Sequence, residues 1–164
     1  MRLVKSILTA AVVAGGLGGI AIAQDSVTIG VSVPAADHGW TGGVNYFAQQ
    51  AIERLQATHP NVQFVFASAP DAPKQIADIE DMVSTRNIDA LVILPGDPDA
   101  MTSAIKQVKD AGKFVTVVDR QLSIDGVENL YVAGDNPGLG TNTAAYFKER
   151  LPDGGNIVVL RGLP

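Results

Sequence analysis

The chain contains no cysteine, so disulfides, thiolate nucleophiles and cysteine-ligated metals play no part in it. Histidine is nearly as scarce. His38 and His59 stand apart, without carboxylates at metal-ligand spacing, which argues against a metal site. A G-x-S-x-G elbow is also missing, so a hydrolase on this scaffold would lack both nucleophile and placed base. No catalytic residue and no cofactor is therefore expected. Aromatic residues make up 5% of the sequence, with Trp40 the single tryptophan. That suits α/β layers better than an aromatic-rich β-sandwich. Basic residues are few, 12 Lys and Arg against 17 Asp and Glu, and none cluster. The resulting net charge of −5 argues against a nucleic-acid partner, whose phosphates need grouped cations.

What is present is apolar. With 164 residues and 46% hydrophobic content, the chain has enough for roughly one domain with a real core. Its first 23 residues are of another kind. Arg2 and Lys5 precede an apolar stretch that ends in Ala21-Ile22-Ala23, a small-x-small site for signal peptidase. A membrane-spanning helix is the weaker reading, because Gly15, Gly16, Gly18 and Gly19 interrupt the stretch. The expectation is a signal peptide over 1–23, cleaved after Ala23, with a periplasmic product. Lacking cysteine, that product has no lipid anchor.

From Val27 the pattern is regular. Apolar runs at 27–33, 62–67, 90–95, 114–119 and 129–134 read as strands, and NIVVL at 156–160 as another. Between them, Val44, Phe47, Ala48, Ala51, Ile52 and Leu55 mark one face of a helix. Asp71 with Pro73, Asp97 with Pro98, and Asn136-Pro137 open three more. Alternation of strands and helices predicts an α/β fold: a three-layer parallel sheet with helices on both faces. All strands then end along one edge, where open sheets bind ligands.

The loops at that edge hold the polar chemistry. They carry His38 and Trp40, then Asp71, then Asp97 and Asp99, and last the adjacent pair Asp119 and Arg120. Each has a plainer alternative. Trp40 could cover a helix end and His38 could bond its own loop, while Asp71, Asp97 and Asp99 suit helix caps. Asp119 and Arg120 resist such explanations, since no helix follows closely and a surface ion pair contributes little. Sugars supply a reason. A carboxylate accepts from neighbouring hydroxyls, a guanidinium donates in a fork, and an indole covers the C–H face. The glycines of YVAGDNPGLG (131–140) fit neither phosphate-loop nor dinucleotide spacing, and are read as a hinge.

On TVVDRQL, DHGW and YVAGDNPGLG, the chain resembles the periplasmic sugar-binding proteins of ABC importers, of the ribose-binding type. The resemblance runs from about Val27 to the last residue. It implies a first lobe over 24–134 and an incomplete second lobe begun over 135–164, with Gly134 and Asp135 at the hinge. It also implies a monosaccharide held by Asp119, Arg120, Trp40, His38 and Asp71. A membrane ABC permease, and a chemoreceptor, would be its partners. Thr41 departs from the pattern, since ribose binders often place a second aromatic there. The sugar's identity is thereby left open, and a furanose-like signal molecule or a polyol stays an alternative ligand. The sequence ends one expected strand into the second lobe.

Overall fold

The computed structural model describes residues 26–160. The expected leader and its cleavage point after Ala23 lie outside the described residues. Nine elements follow one another: β1 (Val27–Pro34), α1 (Gly39–Thr58), β2 (Val62–Ala69), α2 (Ala72–Ser84), β3 (Ala90–Ile93), α3 (Pro98–Asp110), β4 (Phe114–Val118), β5 (Leu130–Val132) and α4 (Asn136–Arg150). The helix starts obey capping chemistry. Asp71, Asp97 and Asp135 each accept a backbone N–H from the first turn, at 2.8, 3.1 and 2.8 Å, and each is followed by an early proline.

The five strands are all parallel, in the order β2-β1-β3-β4-β5. The chain steps outward from β1 to β2, then reverses past β1 to β3 and β4. Right-handed crossovers therefore put α1 on one face and α2 with α3 on the other. The second face holds the core. Leu91 and Ile93 of β3, with Val115 and Val117 of β4, pack against Ile79 and Met82 of α2 and Met101 and Ile105 of α3. None of these eight side chains is more than 1% exposed. Burial of each contributes about 1.5–3 kcal/mol. Gly30 of β1 lies beneath this layer, where a Cβ would sit 2.9 Å from Met82 Sδ. Only a glycine lets α2 approach so closely.

The other face is less covered than the apolar strands suggest. α1 lies against β1 and β2. Beside it, Val31, Val33, Val92, Leu94 and Val118 floor an apolar groove of about 530 Å³, walled by Trp40, Val44 and Phe47. The expected strand at 156–160 is not formed. No neighbouring strand meets its backbone among the described residues, and Val158 and Leu160 are 87% and 93% exposed. An apolar run forms a strand only when a sheet edge is there to pair with. Among the described residues of α4, none is buried.

Candidate ligand-binding site

The order β2-β1-β3 makes the chain turn opposite ways after β1 and β3. The loops at these two strand ends diverge, and a crevice opens between them. Trp40, in the first turn of α1, and Asp119, just past β4, meet above the intervening tip of β3. The indole Nε1 donates to Asp119 Oδ2 at 3.1 Å.

Asp119 is aimed by its backbone. Its φ is 66°, and Arg120 N–H donates back to the Val118 carbonyl at 2.8 Å, closing a γ-turn around it. This conformation is strained for a residue with a Cβ and needs support. β5 supplies it. Asp119 N–H donates to the Val132 carbonyl at 2.8 Å, and the Tyr131 hydroxyl donates to the Asp119 carbonyl at 2.7 Å. The short strand after a helix-free connection thus holds the turn that presents the carboxylate.

Arg120 points elsewhere. No ion pair of the described residues joins it to Asp119. Its Nη1 donates to the Gly96 carbonyl at 2.6 Å and to the Pro95 carbonyl at 3.3 Å, in the loop after β3. Among the described residues, neither bond engages Nε or Nη2, which keep their donor capacity. The tight turn sends the two side chains of one strand tip apart, Asp119 to the first turn of α1 and Arg120 to the loop after β3.

The loop after β1 completes the set. His38 precedes α1, with Nε2 3.6 Å from Asp37 Oδ1. The Thr41 hydroxyl donates to Asp37 Oδ1 at 2.8 Å and accepts His38 N–H at 3.3 Å. Thr41 is only 1% exposed, so it braces the loop from beneath and offers no stacking surface. Asn45, one turn on, donates to the carbonyls of Pro34 at 2.7 Å and Thr41 at 2.9 Å. Asp37 is held below the usual carboxylate range, first by the Thr41 hydroxyl and then by the neighbouring His38 and Arg120. Burial acts in the opposite direction and is second in size only to the Thr41 bond.

The structure therefore gathers Trp40 and Asp119 by a direct bond, with His38 at the N-cap of the helix that carries Trp40. Asp71 is engaged differently: its Oδ1 accepts Lys74 N–H at 2.8 Å as the cap of α2. Asp135 makes an equivalent cap for α4, directly after Gly134, whose carbonyl accepts Asn136 N–H at 2.9 Å. Among the described residues, no group of three or more acidic or histidine side chains could hold a metal ion. Asp37, Asn45, Gln75 and Tyr131 escaped the sequence reading. A signal existed for two of them. Asp37 adjoins His38, and Gln75 occupies the apolar face of α2, in register with Ile79 and Met82.

The periplasmic binding protein domain family matches residues 29–164. The chain belongs to this family, one of binding proteins rather than of catalysts. Among its relatives, the ribose import binding protein of Bacillus subtilis is 30% identical over 138 residues, covering 84% of this chain and 43% of the relative. The D-xylose-binding periplasmic protein of Escherichia coli is 29% identical, covering 62% of this chain and 30% of its own. The periplasmic ribose ABC transporter structure from Conexibacter woesei aligns with a TM-score of 0.67 at 26% identity, over 80% of this chain and 42% of that one. The chain spans less than half the length of each of these three proteins.

Proposed function

We propose that this chain is the first lobe of a sugar-binding component of an ABC importer, taking a ribose-like monosaccharide at the crevice edge. The observation that carries this reading is the bond from Trp40 Nε1 to Asp119 Oδ2 across the tip of β3. It sets an indole face and a carboxylate side by side, with the unused guanidinium nitrogens of Arg120 following in sequence. Asp119 accepts from ring hydroxyls, Arg120 donates to their oxygens, and Trp40 covers a C–H face. His38 and Asp71 add polar contacts from the loops after β1 and β2. Gly134 and Asp135 lead into a hinge, and residues 135–164 begin the second lobe. The limited share of each relative that this chain spans supports that division. Export with cleavage after Ala23, and docking of the closed form to a membrane permease or a chemoreceptor, complete the reading.

The test is calorimetry on the complete two-lobed protein with D-ribose, D-xylose, D-glucose and a polyol. We expect one pentose to bind best. Asp119→Ala should weaken binding by about 1.5–3 kcal/mol, the loss expected for a charged hydrogen-bonding partner. Equal binding by parent and variant would remove Asp119 from the site.

A further inference from the structure

Gln75 is a buried polar residue that the proposed contacts leave unused. It lies on the inward face of α2 with an exposure of 0%. An amide in that position is costly unless its groups find partners. Nε2 donates to Ser32 Oγ at 3.0 Å and to the Leu94 carbonyl at 2.9 Å. Oε1 accepts the N–H of Gly96 at 2.8 Å. The side chain therefore ties β1, α2 and the loop after β3 to one another.

The Gly96 N–H belongs to the same peptide unit as the Pro95 carbonyl. A trans peptide is planar, with its N–H and carbonyl pointing opposite ways, so holding one end orients the other. Gln75 holds the N–H end. Arg120 Nη1 bonds the Pro95 carbonyl at the other end, and the next carbonyl, that of Gly96. Hydrogen bonds on both sides of one peptide also polarise and strengthen each other. Gly96 adds a steric condition, since a Cβ there would lie 3.1 Å from Gln75 Oε1.

We propose that Gln75 is a positioning residue for ligand recognition: it orients the Pro95–Gly96 peptide and through it aims the guanidinium of Arg120 into the crevice. The proposal rests on the sugar-site reading above for its purpose, though not for its geometry. Gln75 touches no ligand.

Two readouts test it, the first on the chain purified after export from a bacterial host. In ¹⁵N NMR, the parent should show resolved, slowly rotating guanidinium resonances for Arg120. Gln75→Leu should collapse them to fast exchange while the remaining amide spectrum stays dispersed. If Gln75→Leu does not fold, Gly96→Ala gives a milder form of the same readout, since its Cβ would press the Gln75 oxygen by a few tenths of an ångström without removing a buried group. Unchanged Arg120 resonances in a folded variant would overturn the proposal. The second readout is titration of the complete two-lobed protein with whichever of D-ribose, D-xylose and D-glucose it binds best. Gln75→Leu should weaken binding about tenfold, the scale expected when a buried polar anchor is lost. That loss should vanish in an Arg120→Ala background. Its persistence there would show a purely structural role and defeat the proposal. A complete protein that binds none of these sugars would count against the sugar reading, while the guanidinium spectrum would still decide the role of Gln75.

Discussion

Asp119 holds a φ of 66°, a region that residues with a Cβ enter at a cost, although Asp and Asn tolerate it better than most. Its substitutions should separate backbone from side chain. Asp119→Gly relieves the turn but loosens the unfolded chain, so its stability should stay within about 1 kcal/mol of the parent. Asp119→Val should lose about 1–3 kcal/mol, because a β-branched side chain is poorly accommodated there. Thermal unfolding checks both, and neither variant should keep the parent's sugar response. Trp40 offers an optical probe at the same point. Sugar addition should change its emission, and Trp40→Phe should retain stacking while losing the 3.1 Å bond to Asp119. Asp37 belongs to this scale too. Its depressed pKa means its contribution to stability is complete above the ordinary carboxylate range and is lost as pH falls through the lowered value. Thr41→Val removes the main cause, and a carboxyl NMR titration should then find Asp37 protonating at higher pH.

Among the elements, the helix starts at Asp71 and Asp97 were legible, whereas α1 begins at Gly39 and takes in Trp40, expected in a loop, and α4 is capped by Asp135, expected only at a hinge. Asp71, Asp97 and Asp135 each accept a first-turn N–H, and capping is a local pattern visible in a few consecutive residues. Asp97→Ala should therefore cost about 1 kcal/mol by denaturant unfolding, with little effect on ligand binding. For Asp71, two substitutions divide the roles. Asp71→Ala removes cap and charge together, whereas Asp71→Asn keeps a capping oxygen. Weakened sugar binding in Asp71→Asn at unchanged stability would mark the carboxylate as a ligand contact. Strand pairing was less legible at 156–160. Its composition matches that of β4, yet β4 pairs on both sides and 156–160 pairs with no described strand. Propensity proposes a strand, and a neighbouring edge decides it.

At the scale of the molecule, the two faces of the sheet differ. The α2 and α3 face is closed, whereas the α1 side keeps its apolar groove. β5 adds to the exposed apolar surface, with Leu130 48%, Tyr131 39% and Val132 49% accessible. Apolar surface beside an unpaired strand edge favours association. The chain should self-associate at micromolar to millimolar concentrations, and Val132→Lys should shift it towards monomer in analytical ultracentrifugation. On the two-lobed reading proposed above, this chain would offer a sugar one wall of its cleft. We expect its affinity for the preferred pentose to be millimolar at best, about −4 kcal/mol. Micromolar binding by the monomer would show that a second lobe is dispensable.

The amino-acid sequence by itself determined the alternation of elements, the parallel sheet and the edge at which His38, Trp40, Asp119 and Arg120 gather. Periodicity, caps and apolar runs are local, and the crossover rule turns them into topology. It also singled out Trp40, Asp119 and Arg120 by their places at strand and helix ends. Tertiary structure decided where those side chains point. Asp119 and Arg120 stand next to each other in the chain yet reach α1 and the loop after β3, because β5 holds a γ-turn centred on Asp119. Gln75 reads as one polar residue on an apolar helix face until the loop after β3 folds over it and takes its oxygen. Such bonds join residues far apart in the chain, and no local pattern encodes which donor will find which acceptor.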